Sequence, residues 1–472
     1  MYHQLNQDKA DFAALLDQVH RYNQAFIHQI ETLSPQITVN ELPYQPLTPE
    51  GIGGQVTLAQ FDARFKSYVQ ASGGPRYFGF VIGGSTPASL MGDLMASTFD
   101  QTNSDIQDVV EKEAVQNLRE LFDLPPTFQG NFTTGATMAN FSGLATARQW
   151  IGEQMGISVA DKGLGALLPI QILGAKPHAS IFKSLSMLGL GKHHLQKVAS
   201  LPEREAIDVS ALESQLKAQA SPQPCIVVAS AGTVNTGDFD DLEAIGRLKQ
   251  KYRFWLHVDA AFGGFAACSP LLAHYLKGIE YADSITIDAH KWLNVPYDAA
   301  VIFTQHQTLQ QAVFSNQAVY LDSDPSKFNF MDLTPENSRR WRGLPVWFTL
   351  KAYGKQGYQE IVERNHHHAQ TLADAIQKDH RFELLAPARL NIVCFTLKHS
   401  PQVPPSQAQI KSFLSQLAAT GKVFLSPTVY EGVPAIRAAF SNWRTETADV
   451  LQAWDLLQAT FDQAHMTSEI DR

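Results

Sequence analysis

Cysteine is scarce: the 472-residue chain carries three, Cys225, Cys268 and Cys394, far apart from one another. No CxxC pair occurs, which argues against a zinc knuckle or a redox dithiol. Each cysteine sits beside apolar residues, so three buried thiols are expected. Charge is thin as well. Asp, Glu, Lys and Arg make up 18% of the chain, against roughly 25% in a typical soluble domain. The 46 acidic residues outnumber the 37 basic ones, for a formal net charge of −9. Nucleic acid and anionic membranes both reward a basic surface, so neither is expected as a partner. No apolar run approaches the ~20 residues that cross a bilayer. The opening residues, Met1 to Asp8, lack the apolar core of a secretion signal, and a cytoplasmic location is expected. A chain this long can bury a large core without disulfides. Low charge density therefore points to a large interior, or to surface covered by another subunit.

What is present is organised in three stretches. Residues 1–60 read as an amphipathic helix over 8–33, with Phe12, Leu15, Leu16, Val19, Phe26, Ile30 and Leu33 near one face. A proline- and glycine-rich extended arm follows. Residues 61–345 alternate β-rich runs with helical stretches. The clearest strands are Cys225–Ala229, Phe254–Val258, Ser284–Ile287 and Ala300–Phe303. Near-continuous apolar strands separated by helices indicate an α/β fold with a parallel sheet covered on both faces. Within this stretch, residues 314–338 are polar and aperiodic, as in a mobile loop or lid. Residues 346–472 read as a smaller α+β domain. It opens with a helix over 347–379 and has strands near 382–385, 392–395 and 435–440, with helices over 406–420 and 447–464.

Three features carry chemistry. The turn Asn131-Phe132-Thr133-Thr134-Gly135-Ala136-Thr137 opens a helix. Free N–H groups at such a start, with no bulky side chain, suit a phosphate. A standard P-loop is missing, since Ser186 and His193 stand where Gly and Ser/Thr are needed around Gly189-Leu190-Gly191-Lys192. The second feature is Asp259, which ends an apolar strand in His257-Val258-Asp259-Ala260-Ala261. Ligands in open α/β sheets sit beyond the carboxyl ends of strands. The third is Lys291, in Asp288-Ala289-His290-Lys291-Trp292-Leu293 after another buried strand. Apolar neighbours there disfavour the charged amine, as an imine-forming lysine requires. A phosphate cradle, a lysine and a carboxylate for a ring nitrogen together fit pyridoxal 5′-phosphate.

The stretches FTTGATMANFSGLATAR (132–148), KPHASIFKSLSMLGLG (176–191), AGTVNTGDFDDL (231–242), LHVDAAFGGFAA (256–267), DAHKWLNVPYD (288–298) and SRRWRGLPVW (338–347) resemble the group II pyridoxal-phosphate decarboxylases. That family includes the aromatic-amino-acid, histidine and glutamate decarboxylases. The resemblance implies a fold-type I, aspartate-aminotransferase-like architecture and a homodimer with shared active sites. It implies Lys291 as the Schiff-base lysine, Asp259 as partner of the pyridine nitrogen, and His178 as the residue stacked on the ring. Ala261 matches the small residue under the opposite face. Ala136, Thr137 and His290 match phosphate contacts, and Thr233 is the nearest hydroxyl because Val234 replaces a threonine. Arg437 falls where glutamate-specific members hold the substrate α-carboxylate. Phe78 and Phe80, with Tyr77, suggest a wall for an aromatic or apolar side chain. Leu333 stands where many members carry a loop tyrosine that protonates the substrate carbon after CO₂ leaves.

These residues imply decarboxylation of an L-amino acid, possible aromatic substrates included. The proton donor is then sought among His178, Lys291 and Tyr320. Leu333 keeps open oxidative formation of an aldehyde, and a catalytically silent cofactor-binding protein is a further alternative. No metal is expected: His366, His367 and His368 are adjacent helix positions about 100° apart and do not converge, so they read as a solvated helix face.

Overall fold

The computed structural model describes residues 1–472 except 40, 103, 168, 219–223, 316–328, 399–403 and 471–472. Seven strands form the large sheet: β1 (Gln129–Thr133), β2 (Ile172–Gly174), β3 (Leu195–Lys197), β4 (Cys225–Ser230), β5 (Phe254–Asp259), β6 (Ser284–Ile287) and β7 (Ala300–Thr304), in spatial order β1-β7-β6-β5-β4-β2-β3. The run β3-β2-β4-β5-β6 is parallel. β7 departs from the expected parallel order and runs antiparallel to both of its neighbours. A parallel return needs a long crossover, usually a full helix. The segment between β6 and β7 holds only the four-residue helix Ala289–Trp292.

Every residue of β4 and β5 is buried, as a sheet covered on both faces requires. Alternation assigns the faces. Ile226, Val228 and Trp255 pack with Leu144, Ala145 and Ile181 on one side. Val227, Ala229, Leu256 and Val258 pack with Phe265 and Trp292 on the other. The helix Ala136–Gln154 covers β5, β6 and β7.

The C-terminal sheet is antiparallel, with β8 (Phe382–Leu384), β9 (Ile392–Leu397), β10 (Ser426–Tyr430) and β11 (Val433–Ala439) in order β10-β11-β9-β8. The helix Gly343–Lys378 links the two cores and kinks at Gly354, whose φ is 57°. Its first part packs on the helices Pro87–Phe99 and Asp105–Leu121, and Ala369, Leu372 and Ile376 enter the small core. The expected single N-terminal helix is two, His3–Ala10 and Phe12–Gln29, broken at Asp11. Leu5, Phe12, Leu16 and Val19 remain exposed there.

The three cysteines are buried and free. No helix among the described residues is long and apolar enough to cross a membrane, and none of their His, Cys, Asp and Glu side chains forms a metal-binding group. The histidine run is not the solvated face expected. His368 is fully buried beneath the small sheet and His366 Nδ1 lies 2.6 Å from the Leu390 carbonyl oxygen; His367 alone is exposed.

Candidate active site

A cavity of about 280 Å³ opens at the carboxyl ends of β4 and β5, where the large sheet faces the small domain. Asp259, the last residue of β5, is buried in its wall. The Ala261 N–H donates to its Oδ1 at 3.2 Å, and the Asn140 amide donates to its Oδ2 at 3.0 Å. A buried carboxylate is costly unless charge-assisted bonds of this kind compensate. Ala261 and Phe262 continue the wall beyond the strand.

Lys291 reaches the cavity from the short helix after β6. Its Nζ lies 3.6 Å from Asp288 Oδ2 and 5.7 Å from the Phe262 ring centroid. The apolar residues that follow it do not surround the amine: Trp292 and Leu293 belong to the main core. An acidic and aromatic setting therefore replaces the apolar one expected from the sequence. His290 directs Nε2 to Asp288 Oδ1 at 3.1 Å, while the Ala299 N–H donates to its Nδ1 at 3.3 Å. The Tyr297 ring lies against His290 with centroids 4.3 Å apart and the planes tilted by 36°.

The helix Ala136–Gln154 begins at the cavity, with Gly135 as its N-cap and no side-chain cap. Its first N–H groups have no acceptor within the helix. A Cβ at Gly135 would meet His290 Cε1 at 3.1 Å, so backbone and imidazole approach closely here. His178 caps the helix Ala179–Met187, its Nδ1 accepting from the Ser180 N–H at 3.2 Å. Burial pushes its pKa below the ordinary histidine value.

The opposite wall is Phe80, Val81 and Ile82 with Arg437 of β11. The Arg437 Nη1 donates to the Val234 carbonyl at 2.5 Å, but its buried Nε has no protein partner. Burial pushes its pKa down to about 10. An unpaired buried guanidinium in a cavity wall is an anion site in waiting.

One cavity thus gathers Ala136, His178, Thr233, Asp259, Ala261, His290, Lys291, Arg437 and Phe80. Four expected residues stand outside it. Tyr77 is buried against Phe424, with ring centroids 4.7 Å apart. Phe78 is a core residue of the small domain, 4.7 Å from Phe440, and the chain bends at Gly79 and Phe80, whose φ is 53°, turning the Phe80 ring away from it. Leu333 is buried beside the helix Gln307–Phe314, its carbonyl accepting from Gln310 Nε2 at 2.7 Å. Thr137 sits in the helix's first turn, its carbonyl accepting from Ser184 Oγ. Tyr320 lies outside the described residues. The Thr233 hydroxyl lines the cavity but is committed to Glu205 Oε2 at 2.5 Å. Sequence reasoning missed Asn140, Ser180, Phe262 and Tyr297. Asn140 lay inside a quoted motif, and a polar residue interrupting an apolar helix face was its only signal.

Residues 55–398 match the pyridoxal-dependent decarboxylase conserved domain. The chain belongs to this family. Its relatives include an aromatic-L-amino-acid decarboxylase from Bacillus atrophaeus, 27% identical over 83% of this chain and 82% of the relative. A 4-hydroxyphenylacetaldehyde synthase from Rhodiola rosea is 25% identical over 82% and 81% of the two chains. In fold, the chain is similar to Oryza sativa TDC crystallised with PLP and tryptamine, with a TM-score of 0.89, 22% identity, and 96% and 98% coverage. The chain is a pyridoxal-phosphate-dependent carboxy-lyase of fold type I, and the cavity fits that cofactor. It offers an amine, a carboxylate for the ring nitrogen, an imidazole and an alanine for the ring's two faces, and a free helix start for the phosphate.

Proposed function

We propose that this decarboxylase acts on an L-amino acid with an aromatic or apolar side chain and releases CO₂ and the amine. The bound cofactor supplies an electron sink through its protonated pyridine ring. Lys291 holds the cofactor covalently and is then free to move a proton at its Nζ. Asp259 faces the pyridine nitrogen and keeps the proton on it. His178 and Ala261 bracket the ring, Ala261 because a larger side chain would displace it. Ala136, Thr137 and His290 surround the phosphate, Thr137 through its backbone at the helix start. Arg437 receives the substrate carboxylate. A buried arginine with a free Nε, lining the same cavity as Lys291 and Asp259, is the observation that carries this reading. Phe80, Val81 and Ile82 supply the apolar wall, in keeping with the names of the aromatic-acting relatives.

Phe80 and Tyr297 are 57% and 59% exposed around the cavity mouth. Aromatic groups left open beside a reaction site call for cover, so we propose a homodimer in which the second copy closes each site. Sedimentation tests this: a dimer is expected, and a fully active monomer overturns it.

A second reading rests on Leu333. With no hydroxyl at that position, slow protonation of the substrate carbon leaves time for O₂. The balance is amino acid, O₂ and water to aldehyde, CO₂, ammonia and hydrogen peroxide. Incubation with a panel of amino acids, measuring CO₂, amine, aldehyde and peroxide, separates the cases. Amine with CO₂ supports the first reading, and aldehyde with peroxide and no amine replaces it with the second. A visible band that responds to no amino acid, with no CO₂, overturns both in favour of a silent protein.

A further inference from the structure

Behind the cavity wall, six buried side chains and His178 form one chain of hydrogen bonds whose direction is forced. Trp255 Nε1, which can only donate, lies 2.9 Å from Ser284 Oγ. Ser284 is buried and its hydroxyl has no other partner among the described residues, so its single proton goes to His257 Nδ1, 2.8 Å away. That leaves His257 with its proton on Nε2, which donates to Asn140 Oδ1 at 2.9 Å. The Asn140 amide nitrogen must then face forward. It donates to Asp259 Oδ2 and to Ser180 Oγ, each at 3.0 Å. Ser180 in turn lies 2.8 Å from His178 Nδ1, which already accepts the Ser180 backbone N–H. A backbone N–H cannot reverse, so Nδ1 is bare and a neutral His178 carries its proton on Nε2. Both ends are thus obligate: an indole donor behind, a carboxylate and an imidazole acceptor in front.

The packing is built around this relay. Asn140, His257 and Ser284 are fully buried. A Cβ at Gly143 would lie 2.8 Å from His257 Cε1, so the helix approaches the ring as only glycine permits. Burial lowers the His257 pKa to about 4, so the ring is neutral and the relay keeps one sense at neutral pH.

We propose that Asn140 is a positioning residue that holds Asp259 aimed and turns the Ser180 hydroxyl proton onto His178 Nδ1, its amide locked from behind by His257, Ser284 and Trp255. The inference rests on the reading above, in which Asp259 and His178 face the cofactor. It adds that two cavity residues on different elements share one polar support. A change at Asn140 reaches both.

Isosteric substitution tests the electrostatic claim against mere packing. Asn140→Asp keeps shape but turns an oxygen toward Asp259, whereas Asn140→Leu keeps bulk and removes the donor. Cofactor dissociation constants and the pH midpoint of the visible cofactor band are the readouts, measured on the full chain. Asn140→Asp is expected to weaken cofactor binding most, by a hundredfold or so, and to move the midpoint by about a unit. Asn140→Leu follows at about tenfold, and Ser284→Ala at two- to threefold, restored by Ser284→Thr. Parent-like affinity and midpoint in Asn140→Asp overturn the proposal. If that variant fails to fold, Ser284→Ala decides, and an unchanged midpoint from pH 5 to 9 overturns the relay. Nitrogen NMR of histidine-labelled protein without cofactor tests the relay independently of the functional reading. His257 is expected neutral with its proton on Nε2 at pH 7, and the Nδ1 tautomer overturns the assignment.

Discussion

The two walls of the cavity are built on opposite principles. On the large-sheet wall, both Asp259 oxygens accept hydrogen bonds, His178 Nδ1 is fixed from Ser180, and Asn140 is bound on both ends of its amide. On the wall facing it, Arg437 Nε has no protein partner and Phe80 is more than half exposed with φ of 53°. A side chain in the left-handed region costs roughly 1–2 kcal/mol. The first wall is complete in the protein alone, as suits a resident cofactor. The second is completed only by something that arrives, as suits a substrate carboxylate, a substrate side chain and a second subunit.

This contrast predicts where a substitution harms chemistry and where it merely shifts preference. Lys291→Ala has the largest expected effect, a loss of about 10⁴-fold or more in turnover, because the group that holds and releases the cofactor is gone. Circular dichroism should stay at parent level, since the amine supports no core contact. Arg437→Leu is expected next, with KM raised about a hundredfold as a charge-assisted carboxylate contact is lost. Its melting temperature should change little, because removing a buried charge relieves desolvation while leaving the Val234 carbonyl without its donor. A fall in stability together with an unchanged KM would mean that Arg437 is structural and the contrast between the walls false. Phe80→Gly should relieve the backbone strain and so raise stability slightly, by about 1 kcal/mol. Its kcat/KM for aromatic substrates should fall about tenfold relative to small apolar ones, as a substrate panel would show.

The same division explains how much was legible in the sequence. The central strands were, because β4 to β7 are dense apolar runs and a sheet buried on both faces leaves no other pattern. The short strands β2 and β3 at one end of the sheet were not: each has three residues, and the edge strand β3 is Leu-Gln-Lys with its polar residues exposed. The antiparallel turn of β7 was hidden because direction depends on the connection, not on strand composition. Lys291 and Asp259 could be read because unusual residue types stand at strand ends. Phe78 and Phe80 could not be told apart, since two phenylalanines around a glycine carry no sign of which faces the cavity. Asn140 and Ser180 escaped for another reason. Their importance lies in partners 119 and 40 residues away, and only the fold brings these together.

The smallest expected effect concerns two buried histidines, one on each side of this contrast. His257 bonds at both ring nitrogens, to Ser284 Oγ and Asn140 Oδ1. His368, under the small sheet, has a protein hydrogen-bond partner at neither nitrogen, although it is as deeply buried. Burial drives both pKa values from 6.5 down to about 4. Between those values the unfolded chain binds more protons than the native one, so each histidine makes stability rise with pH from about 4 to 6.5 and leaves it level above. Their substitution should nevertheless have opposite sign at pH 7. His257→Leu strands Ser284 and Asn140 and is destabilising. His368→Leu removes two unsatisfied nitrogens at a cost to no partner, and should stabilise by about 1–3 kcal/mol. Thermal melts at pH 7 and pH 5 read both effects. The His368→Leu advantage should be larger at pH 5, where a titratable ring that stays neutral in the native state costs most. An advantage equal at the two pH values would show that His368 is already charged or solvated, and that the small domain's core is wetter than its geometry implies.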